Sequence, residues 1–210
     1  MIIPSINRPT FEGAAEYIRK AESFLPENGW IHIDVSDGEF TSHRSWGNSE
    51  EFANLQTHLK TEVHLMVADP DALVGAWLEA GVKRVIVHSQ TVRNLNDIAK
   101  KVEEYGAGLM IAFDPSQDIE KAKEYITNFD QFQVLTVPPG PSGQEFSQDA
   151  LDRIKFLRQL GASARIEVDG GINLETGKKA LEAGADILVS GSYIFSHPDP
   201  KKAFEELNSL

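Results

Sequence analysis

The chain is 210 residues long, 41% hydrophobic and 25% charged, with a formal net charge of −12 and no cysteine. That length and balance suit one soluble globular core and are short for two. The acidic excess argues against a nucleic-acid partner, the lack of cysteine rules out disulfides and thiolate metal sites, and no apolar run reaches the ~18 residues of a membrane span.

Short β-branched runs alternate with longer amphipathic stretches. Strands are expected at Met1–Ile6, Trp30–Val35, Glu62–Met66, Arg84–His88, Gly108–Phe113, Gln131–Val137, Ala164–Val168 and Ile187–Ser190. Helices are expected at Phe11–Phe24, Glu50–His58, Asp71–Ala80, Leu95–Tyr105, Ile119–Asn128, Asp149–Leu160, Leu174–Ala183 and Pro200–Leu207. The chain start, Met1-Ile2-Ile3-Pro4-Ser5, enters a strand directly without the basic segment of a secretory signal, which points to the cytoplasm. Runs such as Val85-Ile86-Val87 read as strands covered by helices on both faces. Gly81, Gly106, Gly161 and Gly184 sit where a left-handed helix cap favours glycine. Asp69-Pro70-Asp71 and Asp114-Pro115-Ser116 sit where helices should start. Strict alternation without a linker predicts an α/β fold, a single (β/α)8 TIM barrel over residues 1–210. An open doubly wound sheet is the structural alternative.

Barrel chemistry sits at the C-terminal ends of the strands. Ser5 ends the first, His32 and Asp34 share one face of the second, and His64 and Met66 share one face of the third. His88 ends the fourth, and Asp169 follows the seventh. Taken alone, His88 reads as a hydrogen-bonded core group, Asp37 as a turn residue and Met66 as core filling as readily as a site wall. The set of His32, Asp34, His64 and Asp169 is harder to explain that way. Two buried carboxylates and two imidazoles need partners or a cation. The donors suit one divalent metal: Zn²⁺, Fe²⁺, Mn²⁺ or Co²⁺.

A second group is the glycine-bearing loops: Gly140-Pro141-Ser142-Gly143 after the sixth strand, Gly170-Gly171 after the seventh, and Gly191-Ser192 after the eighth. Loops in these places often cradle phosphate through backbone amides and a helix N-terminus. That is how a chain this acidic could hold an anionic ligand.

These phrases resemble the ribulose-phosphate 3-epimerase family. The match is carried by Pro4-Ser5-Ile6, by His32-Ile33-Asp34-Val35-Ser36-Asp37-Gly38 and by Val63-His64-Leu65-Met66. Val168-Asp169-Gly170-Gly171 and Gly191-Ser192 complete it, in order along almost the whole chain. The resemblance implies a (β/α)8 barrel, metal on the four named ligands, and ribulose 5-phosphate and xylulose 5-phosphate as substrates. It further implies that Asp34 and Asp169 exchange protons on opposite faces of the sugar, that Ser5 and Met66 orient it, and that the chain forms a homo-oligomer. A small phosphorylated sugar is then the only partner expected. The chain departs from the family pattern at Ser36 and Leu135, where methionine is usual, at Pro141-Ser142 in the phosphate loop, and at Asn7–Thr10 after the first strand. These changes keep a hexulose-phosphate (allulose 6-phosphate) 3-epimerase and a non-catalytic phosphate-binding barrel open as alternatives.

Overall fold

The computed structural model describes residues 1–210. Eight parallel strands, β1 (Ile2–Ile6), β2 (Trp30–Ser36), β3 (Lys60–Met66), β4 (Arg84–His88), β5 (Gly108–Phe113), β6 (Gln131–Leu135), β7 (Arg165–Asp169) and β8 (Ile187–Ser190), follow one another in a closed barrel. The helices between them are α1 (Phe11–Glu22), α2 (Ser49–Leu55), α3 (Pro70–Glu79), α4 (Leu95–Glu104), α5 (Asp149–Leu160), α6 (Leu174–Ala183), α7 (Ser192–Phe195) and α8 (Pro200–Asn208). Contacts group the chain into two compact units: Ser5–Leu109, and Met1–Pro4 with Met110–Leu210.

In the Ser5–Leu109 unit, β2 and β3 pair over seven positions, from Trp30↔Lys60 to Ser36↔Met66. Alternate residues then fall on opposite faces of the sheet. Ile31, Ile33 and Val35 are buried on one face of β2, and His32, Asp34 and Ser36 on the other. α1 forms because Thr10 caps its start, accepting from the Gly13 amide, and because Ala14, Ile18 and Ala21 recur at helical spacing. α3 buries Val74, Trp77 and Leu78. The Trp77 ring lies 5.6 Å from Phe52 and 6.3 Å from Trp46, an aromatic cluster that holds α2 and α3 together.

In the other unit, β6 and β7 pair from Gln131↔Arg165 to Leu135↔Asp169, and β8 pairs with β7 and with the start of β1. Asn173 and Thr176 form a capping box at the start of α6.

Several local expectations are corrected. Ile119–Glu124 is a 3₁₀ helix, not an α-helix running to Asn128. It buries only Ala122, so it has no apolar stripe to support further α turns. Asp114-Pro115-Ser116 is a turn in which Asp114 accepts from Ser116, and the helix starts later, capped by Asp118. Gly81, Gly106 and Gly184 are left-handed, but Gly161 is extended at φ −140°. Glycine is required there by space instead, since a Cβ would lie 2.6 Å from Ile126 Cδ1. The short helix α7 was not expected at all.

Candidate metal centre

Three of the candidate ligands come from two neighbouring strands in register. Asp34 on β2 and His64 on β3 are direct partners, and His32 lies two residues before Asp34. His32 and His64 are fully buried and Asp34 nearly so. His32 Nε2 and His64 Nδ1 both lie 3.3 Å from the same Asp34 Oδ1. The opposite nitrogen of each ring is anchored. His32 Nδ1 is 2.8 Å from Glu62 Oε1, and His64 Nε2 is 3.0 Å from His88 Nε2. A carboxylate only accepts, so His32 donates from Nδ1 to Glu62 and turns Nε2 toward Asp34. Each imidazole therefore presents one nitrogen toward Asp34 while a second partner fixes its plane, the usual arrangement around a ligated metal. One ligand atom from each of His32, Asp34 and His64 lies within 4.8 Å of the others. Two nitrogens and a carboxylate oxygen suit a divalent ion of the Zn²⁺, Fe²⁺, Mn²⁺ or Co²⁺ kind.

Electrostatics follow from this crowding. Burial pushes the Asp34 carboxyl up, but the adjoining His32 and His64 imidazoles outweigh it and hold it well below the usual carboxylate range. Burial pulls His32 down, yet Asp34 and Glu62 outweigh that and raise it well above the ordinary histidine value. A cation taking His32 Nε2 must first displace its proton, so affinity for it should rise with pH.

Asp169 ends β7, beside Leu135 of β6 and Val189 of β8. The glycine-bearing loops only partly converge. Gly171 and Ser192 line a cavity of about 430 Å³ with Gln144, Glu145, Asn173 and Thr176. The Gly140, Pro141, Ser142, Gly143, Gly170 and Gly191 positions are not among its lining residues. Gln144 closes the Gly140–Gly143 loop by donating to the carbonyls of Pro138 and Pro141. Asn173 already accepts from the Glu175 and Thr176 amides, so those donors of α6 are taken.

Gly171 is irreplaceable on two counts. Its φ is +59°, and a Cβ would lie 2.6 Å from the Phe146 backbone nitrogen and 3.0 Å from the Gln144 carbonyl oxygen. Gly171→Ala is expected to cost about 2 kcal/mol or more, whereas Gly143→Ala, left-handed but facing open space, should cost only about 1. Thermal unfolding of both variants checks this, and equal losses would refute the packing argument.

A family model described as the ribulose-phosphate 3 epimerase family matches residues 1–195. This chain belongs to that family. Among its relatives, the ribulose-phosphate 3-epimerase of Chlamydia trachomatis is 40% identical over 172 residues, covering 79% of this chain and 74% of the relative. That of Bacillus subtilis is 31% identical over 212 residues, covering 98% and 97%. Among solved structures, the 3-hexulose-6-phosphate synthase of Salmonella typhimurium superposes with a TM-score of 0.75 at 16% identity, over 99% of this chain and 96% of that one, a likeness of fold alone.

Sequence reasoning missed two parts of this epimerase-family site. Glu62 sits on the inner face of β3, two residues before His64, and links His32 to the buried Arg84 guanidinium. Alternation along β3 was the signal that could have found it. His88 is the hydrogen-bonded core group expected, fully buried, but its partner was not foreseen: its Nε2 lies 3.0 Å from His64 Nε2, and the ring stacks on His64 at 5.1 Å and packs against Phe40 at 4.7 Å. Asp37 is the turn residue expected, accepting from the amides of Glu39, Phe40 and Ala68.

Proposed function

We propose that the chain interconverts D-ribulose 5-phosphate and D-xylulose 5-phosphate by epimerising C3, in one catalytic domain spanning residues 1–210. The observation that carries this reading is the buried cluster of His32, Asp34 and His64, in a member of the epimerase family whose β7 ends on Asp169. Epimerisation next to a ketone removes a carbon-bound proton and returns one to the opposite face. One base cannot easily serve both faces, so two carboxylates are needed. Asp34 and Asp169 fill those roles, one accepting the C3 proton and the other, protonated, delivering its own.

The electron pair left on C3 moves into the neighbouring carbonyl and yields an enediolate. His32, Asp34, His64 and Asp169 would hold a divalent ion, which would supply Lewis-acid stabilisation of the charge that develops. Because its pKa is depressed, Asp34 is a weak base by itself, so the step depends on making the carbon acid stronger. Proton transfer by a positioned carboxylate contributes about 10²–10⁴-fold, and electrostatic stabilisation must supply the remainder. Glu62 and His88 hold the two imidazole planes. Ser5 and Met66 orient the sugar chain, and the loops bearing Gly140–Gly143, Gly170-Gly171 and Gly191-Ser192 receive its phosphate. A cytoplasmic location and a homo-oligomeric assembly belong to the same reading. They rest on the cysteine-free composition and on the family resemblance.

The purified protein is expected to turn over ribulose 5-phosphate, to lose that activity on exhaustive chelation, and to regain it with Mn²⁺, Fe²⁺, Co²⁺ or Zn²⁺. Metal analysis should find about one ion per chain. Faster turnover of allulose 6-phosphate would move the assignment to a hexulose phosphate. No turnover, and no deuterium uptake at substrate carbon in D₂O with any of these ions, would leave a non-catalytic barrel.

A further inference from the structure

The inner face of β2 carries one more polar side chain beyond the metal ligands. Ser36 follows His32 and Asp34 at the two-residue spacing that keeps side chains on one face. Asp34 pairs with His64 and Ser36 with Met66, so Ser36 and Met66 form the next layer toward the strand ends, where barrels place their chemistry. Ser36 is 2% exposed, and its Oγ has no hydrogen-bond partner within the chain. Buried hydroxyls are normally satisfied, so an exception beside a reactive centre calls for an explanation.

The backbone there is held firmly. β1 ends at Ile6, opposite Ile33, and a returning loop takes over the edge of β2 beyond that point. The Ser45 amide donates to the Ser36 carbonyl at 3.1 Å, and the Ser36 amide donates to Ser45 Oγ at 2.8 Å. Ser45 Oγ in turn donates to the Asp34 carbonyl at 2.7 Å. Asp37 and Arg44 bridge the same two segments, and the Trp46 amide donates to the Arg8 carbonyl at 2.7 Å. Both backbone polar groups of Ser36 are thereby used. Its hydroxyl alone is left over, on a clamped strand end one layer from Asp34.

We infer that Ser36 is a substrate-binding residue whose Oγ hydrogen-bonds an oxygen of the ketose chain next to the reacting carbon. This rests on the epimerase reading above. A ketose phosphate presents oxygens along its chain and C–H groups between them. A fixed hydroxyl beside the soft Met66 thioether suits both kinds of surface.

The test compares wild type, Ser36→Ala and Ser36→Thr, each loaded with the same metal and checked for equal metal content. For Ser36→Ala, kcat/KM toward ribulose 5-phosphate is expected to fall by about five- to fiftyfold, with Ser36→Thr recovering part of the loss. The unliganded protein should melt at the same temperature or higher, since an unsatisfied buried hydroxyl has been removed, while the rise in Tm with saturating ribulose 5-phosphate should shrink. An active wild type with an unaltered Ser36→Ala kcat/KM overturns the contact alone. So does a catalytic loss that comes with a lowered unliganded Tm, which would make Ser36 a structural residue. A wild type inactive with every metal overturns the epimerase reading and the contact with it.

Discussion

Asp169→Asn is expected to lower kcat for ribulose 5-phosphate by about a thousandfold or more, and Asp34→Asn by at least as much. Asparagine keeps the shape of the carboxylate but cannot take up or deliver the C3 proton, and general acid–base help alone is worth about 10²–10⁴-fold. At position 34 it also removes the negative charge that both His32 Nε2 and His64 Nδ1 face at 3.3 Å, so metal affinity should fall together with rate. Neither change empties space in the core, and far-ultraviolet circular dichroism should show an intact barrel. In the proposed mechanism the two carboxylates act on opposite faces of one carbon, so the double variant should be little worse than either single one. A single variant that retained near-wild-type kcat would end the two-carboxylate mechanism.

The second large effect concerns stability. Glu62 is fully buried and Arg84 nearly so, and they form an ion pair behind His32. Glu62→Ala removes the carboxylate that pairs with the Arg84 guanidinium and faces the Nδ1 side of His32. Breaking a buried pair by removing one partner typically costs about 3–5 kcal/mol. At roughly 2–4 °C per kcal/mol for a chain of this size, Tm should drop by about 6–20 °C. The Trp30 ring, 4.7 Å from the Arg84 guanidinium carbon, offers partial compensation and favours the lower end. In protein that still folds, metal affinity should weaken by about 10–100-fold, because the plane of His32 is no longer held. Glu62→Gln keeps an oxygen for His32 and should lose less on both counts. Calorimetry of chelated protein and metal titration read the two effects separately. A Glu62→Ala variant melting within 2 °C of wild type would show that the pair contributes nothing.

Much of the barrel could be read locally. Strand and helix types followed from whether apolar residues form a short, nearly continuous β-branched run or recur at every third and fourth position. Those spacings are properties of a strand or helix by itself, and they were right for β4, β5, β8, α5 and α6 to the residue. Errors fell where the local pattern was weak, as in Ile119–Glu124, or where a glycine served packing rather than a left-handed turn, as at Gly161. Of the candidate site, the place of His32 and Asp34 on one strand face was legible because two-residue spacing sets it whatever the rest of the chain does. The partners that hold the ligands were not. Glu62 meets His32, and His64 meets His88, across neighbouring strands.

By itself, then, the order of residues determined the alternation of elements, the inward face of each strand and the chemical character of the ligands, all of which depend on a few adjacent residues. Only the tertiary structure decided strand register, and with it the pairing of Asp34 with His64, the burial of Glu62 against Arg84, and the leftover hydroxyl of Ser36. Register is a long-range property. A shift of one residue between β2 and β3 would face His64 outward while leaving every local pattern unchanged.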